Sequence, residues 1–80
     1  MSEESDVQKL REAMASHIRA ARAFRNLSQR ELAKKVGISF SEMHRIEAGK
    51  VSVEMETFAK IMAVLRYKWA FGCLEPKREV

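Results

Sequence analysis

The chain has 80 residues, a single cysteine and a formal net charge of +4, with an isoelectric point near 9.6. That length suits one domain over 1–80, which buries only about 60–65% of its unfolded surface and gains from a partner subunit. The lone Cys73 excludes an internal disulfide, the acidic start (Glu3, Glu4, Asp6) reads as no signal peptide, and no run nears the roughly 20 apolar residues of a membrane helix, so a cytoplasmic protein off the membrane is expected.

The charge is unevenly placed. Residues 1–12 carry Glu3, Glu4, Asp6 and Glu12 against Lys9 and Arg11. Residues 13–60 carry nine bases, among them Arg19, Arg22, Arg25, Arg30, Lys34, Lys35, Arg45 and Lys50, against five acids. The middle is where a polyanion would dock, unless these charges only solvate helix faces.

In chain order, Val7, Leu10, Met14, Ile18 and Ala21 recur at spacings of three and four, which predicts a first helix over about 6–25 with one buried face. Asn26, which tolerates positive φ, is its expected terminator. Ser28 and Glu31 then form a Ser-x-x-Glu capping box, opening a short second helix to Val36 with Leu32, Ala33 and Val36 inward. Gly37 makes a turn, Ile38 plugs it from the core side, and Ser39 and Glu42 repeat the box at the start of a third helix. Two capped helices joined by one glycine turn between Ser28 and Gly49 form a helix-turn-helix signature, the usual device for pushing a helix into the major groove of DNA.

On the third helix, Met43 and Ile46 share one face, while Ser41, His44, Arg45 and Ala48 point the other way. That outward face suits base edges, since arginine can bind guanine through two bonds and serine can donate or accept; an ordinary solvated helix has the same look. Phe40 lies at the edge of both faces, positioned either to touch a thymine methyl or to pack beside Met43. Glu47 leans inward next to Ile46, where a carboxylate needs a cation, and Arg22, one position after inward Ala21, is the best candidate.

Ser52 is expected to open a fourth helix whose stripe is Phe58, Ile61, Met62 and Leu65. Beyond Arg66 the period changes to two: Tyr67, Trp69, Phe71 and Cys73 alternate with Lys68, Ala70 and Gly72, as in a strand. A lone strand in a helical chain has no partner, so pairing with a second copy over 66–74 is expected, the alternative being a fifth helix. Glu75, Pro76 and the residues beyond them read as a frayed polar tail.

The order of Arg22, Leu27, Ser28, Gln29, Leu32, Ala33, Gly37, Ser39, Ile46, Glu47, Gly49 and Leu65 resembles the Cro/repressor-like, or xenobiotic-response-element, family of helix-turn-helix proteins over roughly 15–66. The resemblance implies an all-α domain of four or five helices with double-stranded DNA as partner, the third helix reading the major groove, and Arg22 and Glu47 in a structural salt bridge. It implies that Gln29, with Ser28 assisting, meets a backbone phosphate, that Phe40, Ser41 and Arg45 occupy base-reading positions beside Ser39 and His44, and that Lys50 follows as a phosphate contact. Two departures are Asn26, where a glycine is usual, and Phe40, where a polar reader is common. The stretch Thr57-Phe58-Ala59-Lys60-Ile61 and the strand are similar to antitoxins that partner HipA-type kinase toxins, in which a C-terminal strand joins two subunits.

Enzymatic readings lack parts. His17, His44 and Cys73 have no metal-ligand spacing, and no glycine-rich phosphate loop or nucleophile elbow is present, so neither metal nor cofactor is expected. The expectation is a cytoplasmic, nucleoid-associated regulator, a homodimeric repressor joined through Tyr67, Trp69 and Phe71. The alternative is a module whose main partner is a toxin or another protein.

Overall fold

The computed structural model describes residues 3–70 and 73–77, the side chains of 68–70 excepted. Among these, four helices precede two strands: α1 (Glu3–Phe24), α2 (Gln29–Val36), α3 (Phe40–Glu47), α4 (Met55–Val64), β1 (Tyr67–Ala70) and β2 (Cys73–Pro76). One large side chain from each helix meets at the centre, Ile18, Leu32, Met43 and Ile61, all with no exposed surface, and Leu65 closes the cluster. Each such burial contributes about 1.5–3 kcal/mol, so the four helices hold one another through a shared core.

α1 starts three residues before the expected Asp6, with Glu3, Glu4 and Asp6 in its first turn, where the helix dipole favours acids. Its apolar stripe is buried only from Ala15 onward; Val7 and Leu10, expected inside, are 42% and 64% exposed. The reason is length, because α1 has 22 residues while the helices packed on it have 8 to 10, too short to cover both of its halves. The uncovered half instead sends polar side chains to the α3–α4 connection: Gln8 Nε2 donates to the Gly49 carbonyl at 3.1 Å and Arg11 Nε to Ser52 Oγ at 2.9 Å. Gly49 has a φ of 73°, the left-handed conformation that favours glycine, while a β-carbon there would meet Glu12 Cγ at 3.4 Å, an ordinary contact, so it is the backbone conformation that calls for glycine.

Asn26 ends α1 in the left-handed region at φ 56°, with the Leu27 amide donating to the Arg22 carbonyl. The capping box of α2 is complete, since Ser28 Oγ accepts from the Glu31 amide at 3.0 Å and the Ser28 amide donates to Glu31 Oε1 at 2.9 Å. Gly37 follows at φ 89° and donates to the Ala33 carbonyl. At α3 the box is one-sided: Ser39 Oγ accepts from the Glu42 amide, but Glu42 makes no return bond.

α4 does not begin at Ser52. Glu54 is its N-cap, without a side-chain bond, and the Ser52 hydroxyl is committed to Arg11. At the other end, Arg25 Nε donates to the Leu65 carbonyl at 2.8 Å, satisfying one of the carbonyls that α4 leaves open.

The C-terminal strand has its partner within the chain. β1 and β2 pair antiparallel, with Tyr67 opposite Pro76, Lys68 opposite Glu75, Trp69 opposite Leu74 and Ala70 opposite Cys73. Glu75 and Pro76, expected in a frayed tail, therefore belong to a strand, and no fifth helix is formed there. Pro76 stands at the strand terminus, where a missing N–H is tolerated. Leu74 and Tyr67 pack on the core, and Tyr67 meets His17 edge-on with ring centroids 5.4 Å apart. Phe71 and the side chain of Trp69 lie outside the described residues.

α3 is tied to α1 by an ion pair beneath its C-terminal end. Glu47 is 2% exposed, and its carboxylate accepts from Arg22 Nε at 2.9 Å and from Arg22 Nη2 at 2.9 Å, while Arg22 Nη1 donates to the Leu27 carbonyl at 2.8 Å. Arg19 Nη1 donates to the Glu47 main-chain carbonyl. The same arginine fork thus joins α1, the α1–α2 turn and α3.

Arg22→Ala leaves the Glu47 charge buried and unpaired; a loss of about 3–5 kcal/mol is expected in urea denaturation, whereas the double change Arg22→Met with Glu47→Leu should recover most of it. Equal losses in both variants would contradict this reading. A second expectation concerns acid. The Ser28 amide, and after it the Ser28 hydroxyl, holds the Glu31 carboxyl below its ordinary value of 4.5. Because that value is lower in the folded chain, the bond adds stability above the usual carboxylate range and loses it as pH falls through the lowered value. The Ser28 amide resonance should move in acid in the wild type and stay fixed in Glu31→Gln, whose amide keeps the box without titrating.

Candidate nucleic-acid interface

The capping boxes set where the outward surface begins. Ser28 and Ser39 turn their hydroxyl oxygens onto the first turns of α2 and α3, bringing both helix N-termini, with their excess of N–H groups and positive dipole ends, to the surface. From there α3 carries Phe40, Ser41, His44, Arg45 and Ala48 on its exposed side, and Lys50 is exposed just beyond it. Met43 and Ile46 face the core from the other side of the same helix. The alternation fixes the rotation of α3 about its axis, since turning it to bury the polar side would expose Met43.

The exposed residues are joined by contacts. The Arg30 guanidinium lies 4.1 Å from the centre of the Phe40 ring, a cation–π stack, and the Phe40 ring is 6.1 Å from that of His44 at a tilt of 31°. Phe40, 37% exposed, therefore neither enters the core nor stands alone; it is a platform between an arginine and a histidine. On the far side of His44, Nδ1 is 3.4 Å from Gln29 Oε1, and Gln29 Nε2 donates to Glu47 Oε1 at 3.2 Å. A row of contacts thus runs from Arg30 on α2 across α3 and back through Gln29 to the Arg22–Glu47 pair. Arg45 borders a polar hollow shared with Glu42, Ser52, Glu54 and Thr57, and the Lys50 amide donates to its carbonyl at 3.2 Å.

Chemically, this surface offers guanidinium and ammonium groups for anions, hydroxyl and imidazole groups for donor–acceptor pairing, and an aromatic face. Arg22 and Glu47 lie beneath it and take no outward position. Tyr67 packs on the core and against His17 of α1. Sequence reasoning missed Arg30 and the side-chain engagement of Gln29. Both depend on how α2 crosses α3, which no local spacing encodes; the only signal was their place in the first turn after Ser28.

Among the described residues no group of His, Cys, Asp and Glu side chains is arranged to hold a metal, and no helix is long and apolar enough to cross a membrane. A helix-turn-helix family model matches residues 18–71. No curated protein and no solved structure matches the chain. The match covers well over half of the chain, reaching from the buried half of α1 through α4 into the hairpin, so it takes in the core, both capped helices and the Arg22–Glu47 pair. The chain belongs to the Cro/C1-type helix-turn-helix family of DNA-binding regulators.

Proposed function

We propose that the protein is a sequence-specific, dimeric transcriptional repressor, cytoplasmic and associated with the nucleoid, that places α3 in the major groove of an inverted-repeat operator. The observation that carries this reading is the composition of the α3 surface: Ser41, His44 and Arg45 are exposed together on a helix whose opposite face is fixed in the core. Arg45 is the principal reader, its guanidinium suited to guanine O6 and N7, with Ser41 and His44 secondary and Phe40 supplying apolar contact. Ser28 and Ser39, the main chain at Gln29, and Lys50 meet phosphates, which position the helix without carrying sequence information.

One copy covers one half-site, and two half-sites about 34 Å apart need two copies. Dimerisation is assigned to the segment of Tyr67, Trp69 and Phe71. The hairpin uses only one edge of each strand in pairing β1 with β2, so the outer edge remains for a second copy. Beside it runs an apolar groove of about 260 Å³ bordered by Met14, Met55, Phe58, Met62, Tyr67 and Leu74, which supports burial against the same segment of a second chain. That groove also favours a second reading, in which the occupant is another protein such as a toxin and DNA binding is secondary.

Arg45→Ala should lose about 1–3 kcal/mol of discrimination at one base pair per half-site, whereas Lys50→Ala should weaken cognate and scrambled DNA alike and flatten the salt dependence by about one unit. Mobility-shift titrations across a salt series separate the two, and an intact preference in Arg45→Ala would remove the groove-reading assignment. Sedimentation of Trp69→Glu tests the assembly: a monomer is expected, an undisturbed dimer refutes the hairpin interface, and a wild-type monomer favours the second reading.

A further inference from the structure

The Gln29 side chain lies between two groups whose hydrogen-bonding capacities are unequal. On one side is the Glu47 carboxylate, which can only accept, and which is already held by Arg22 at 2.9 Å. The amide must therefore turn its Nε2 toward Glu47, and does so at 3.2 Å. Its Oε1, also only an acceptor, is then directed to His44 Nδ1 at 3.4 Å. For that approach to be bonding, the imidazole proton must be on Nδ1. In a neutral ring this leaves Nε2, at the opposite corner, as a bare lone pair.

We infer that Gln29 is a positioning residue that carries the polarity of the buried Glu47 carboxylate out to the α3 surface, fixing His44 in the Nδ1–H tautomer so that its Nε2 accepts from an exocyclic amino group of a base. The inference rests on the DNA-reading function proposed above and gives His44 a specific chemistry within it. An acceptor in the major groove pairs with adenine N6 or cytosine N4, and meets only further acceptors at guanine N7 and O6 and at thymine O4. His44 thus complements Arg45: the arginine, all donors, selects guanine, and the histidine selects an amino-bearing base. Phe40, its ring 6.1 Å from that of His44 and backed by Arg30, limits where the imidazole can swing. The tautomer is set against the intrinsic preference of free histidine, which carries its proton on Nε2.

Long-range proton–nitrogen correlation spectra of the full-length free protein, recorded at alkaline pH where imidazole is neutral, read the tautomer directly. Wild-type His44 is expected to show a protonated Nδ1 and an unprotonated Nε2, and Gln29→Met, which keeps the side-chain length without the amide, should return the proton to Nε2. Wild-type His44 with its proton on Nε2 would overturn the inference whatever the protein does on DNA, and needs no variant to fold. Persistence of the Nδ1–H form in Gln29→Met would remove Gln29 as its cause.

Selection from a random DNA pool then reads the consequence. One position per half-site should prefer adenine or cytosine, and this preference should fall about fivefold in both Gln29→Met and His44→Phe while the Arg45 position keeps its guanine. A preference for guanine or thymine at the His44 position, or none that changes in either variant, would overturn the base assignment. If the wild type selects no sequence at all, the DNA-reading function itself fails, an outcome distinct from a failed tautomer measurement.

Discussion

A carboxylate with almost no access to water has to be answered by a cation in fixed geometry, and the domain is arranged around that requirement. Arg22 answers Glu47 with two nitrogens and uses a third to hold the Leu27 carbonyl, so one guanidinium ties α1, the turn into α2 and the end of α3. Breaking it would strand a charge in the interior, and so it adds to the apolar contacts of Met43 and Ile46 that already set the rotation of α3. The pair sits directly beneath the exposed polar residues, and through Gln29 it is joined to them. The buried ion pair and the surface proposed to read DNA are therefore two sides of one helix.

The opposite end of the fold is held by weaker, distributed means. The exposed half of α1 reaches the α3–α4 connection through Gln8 and Arg11, where Gly49 turns the chain at positive φ. Arg25 closes α4 from the other end of α1. A long helix bordered by shorter ones thus acts as a spine: its C-terminal half supplies core and ion pair, its N-terminal half supplies polar braces.

Much of this was legible in the sequence where the physics is local. The capping box at Ser28, the positive φ at Asn26 and Gly37, and the inward stripe of Leu32, Ala33, Met43 and Ile46 follow from residue type and spacing over a few positions. The need of Glu47 for a cation was readable from its place beside Ile46. The parts that were not legible depend on tertiary arrangement. Ser52 is a good helix cap by composition, but Arg11 takes its hydroxyl. Val7 and Leu10 keep the helical rhythm, yet the shorter helices leave both exposed. Cys73-Leu74-Glu75-Pro76 has one large apolar residue and a proline, too little pattern to announce a strand, and only the pairing with β1 makes it one. The engagement of Gln29 is likewise a property of a helix crossing.

α3 is eight residues long, too short to be stable as an isolated helix, yet Ser39 caps its start, Arg19 and Arg22 anchor Glu47 at its end, and Met43 is sealed in the core between them. In the proposed complex the helix would consequently meet DNA preformed, with its backbone entropy lost at folding and not at binding. Two operators would then differ in affinity by how far each duplex must bend or twist to fit an unyielding template. In such an encounter the adaptable partner is the nucleic acid.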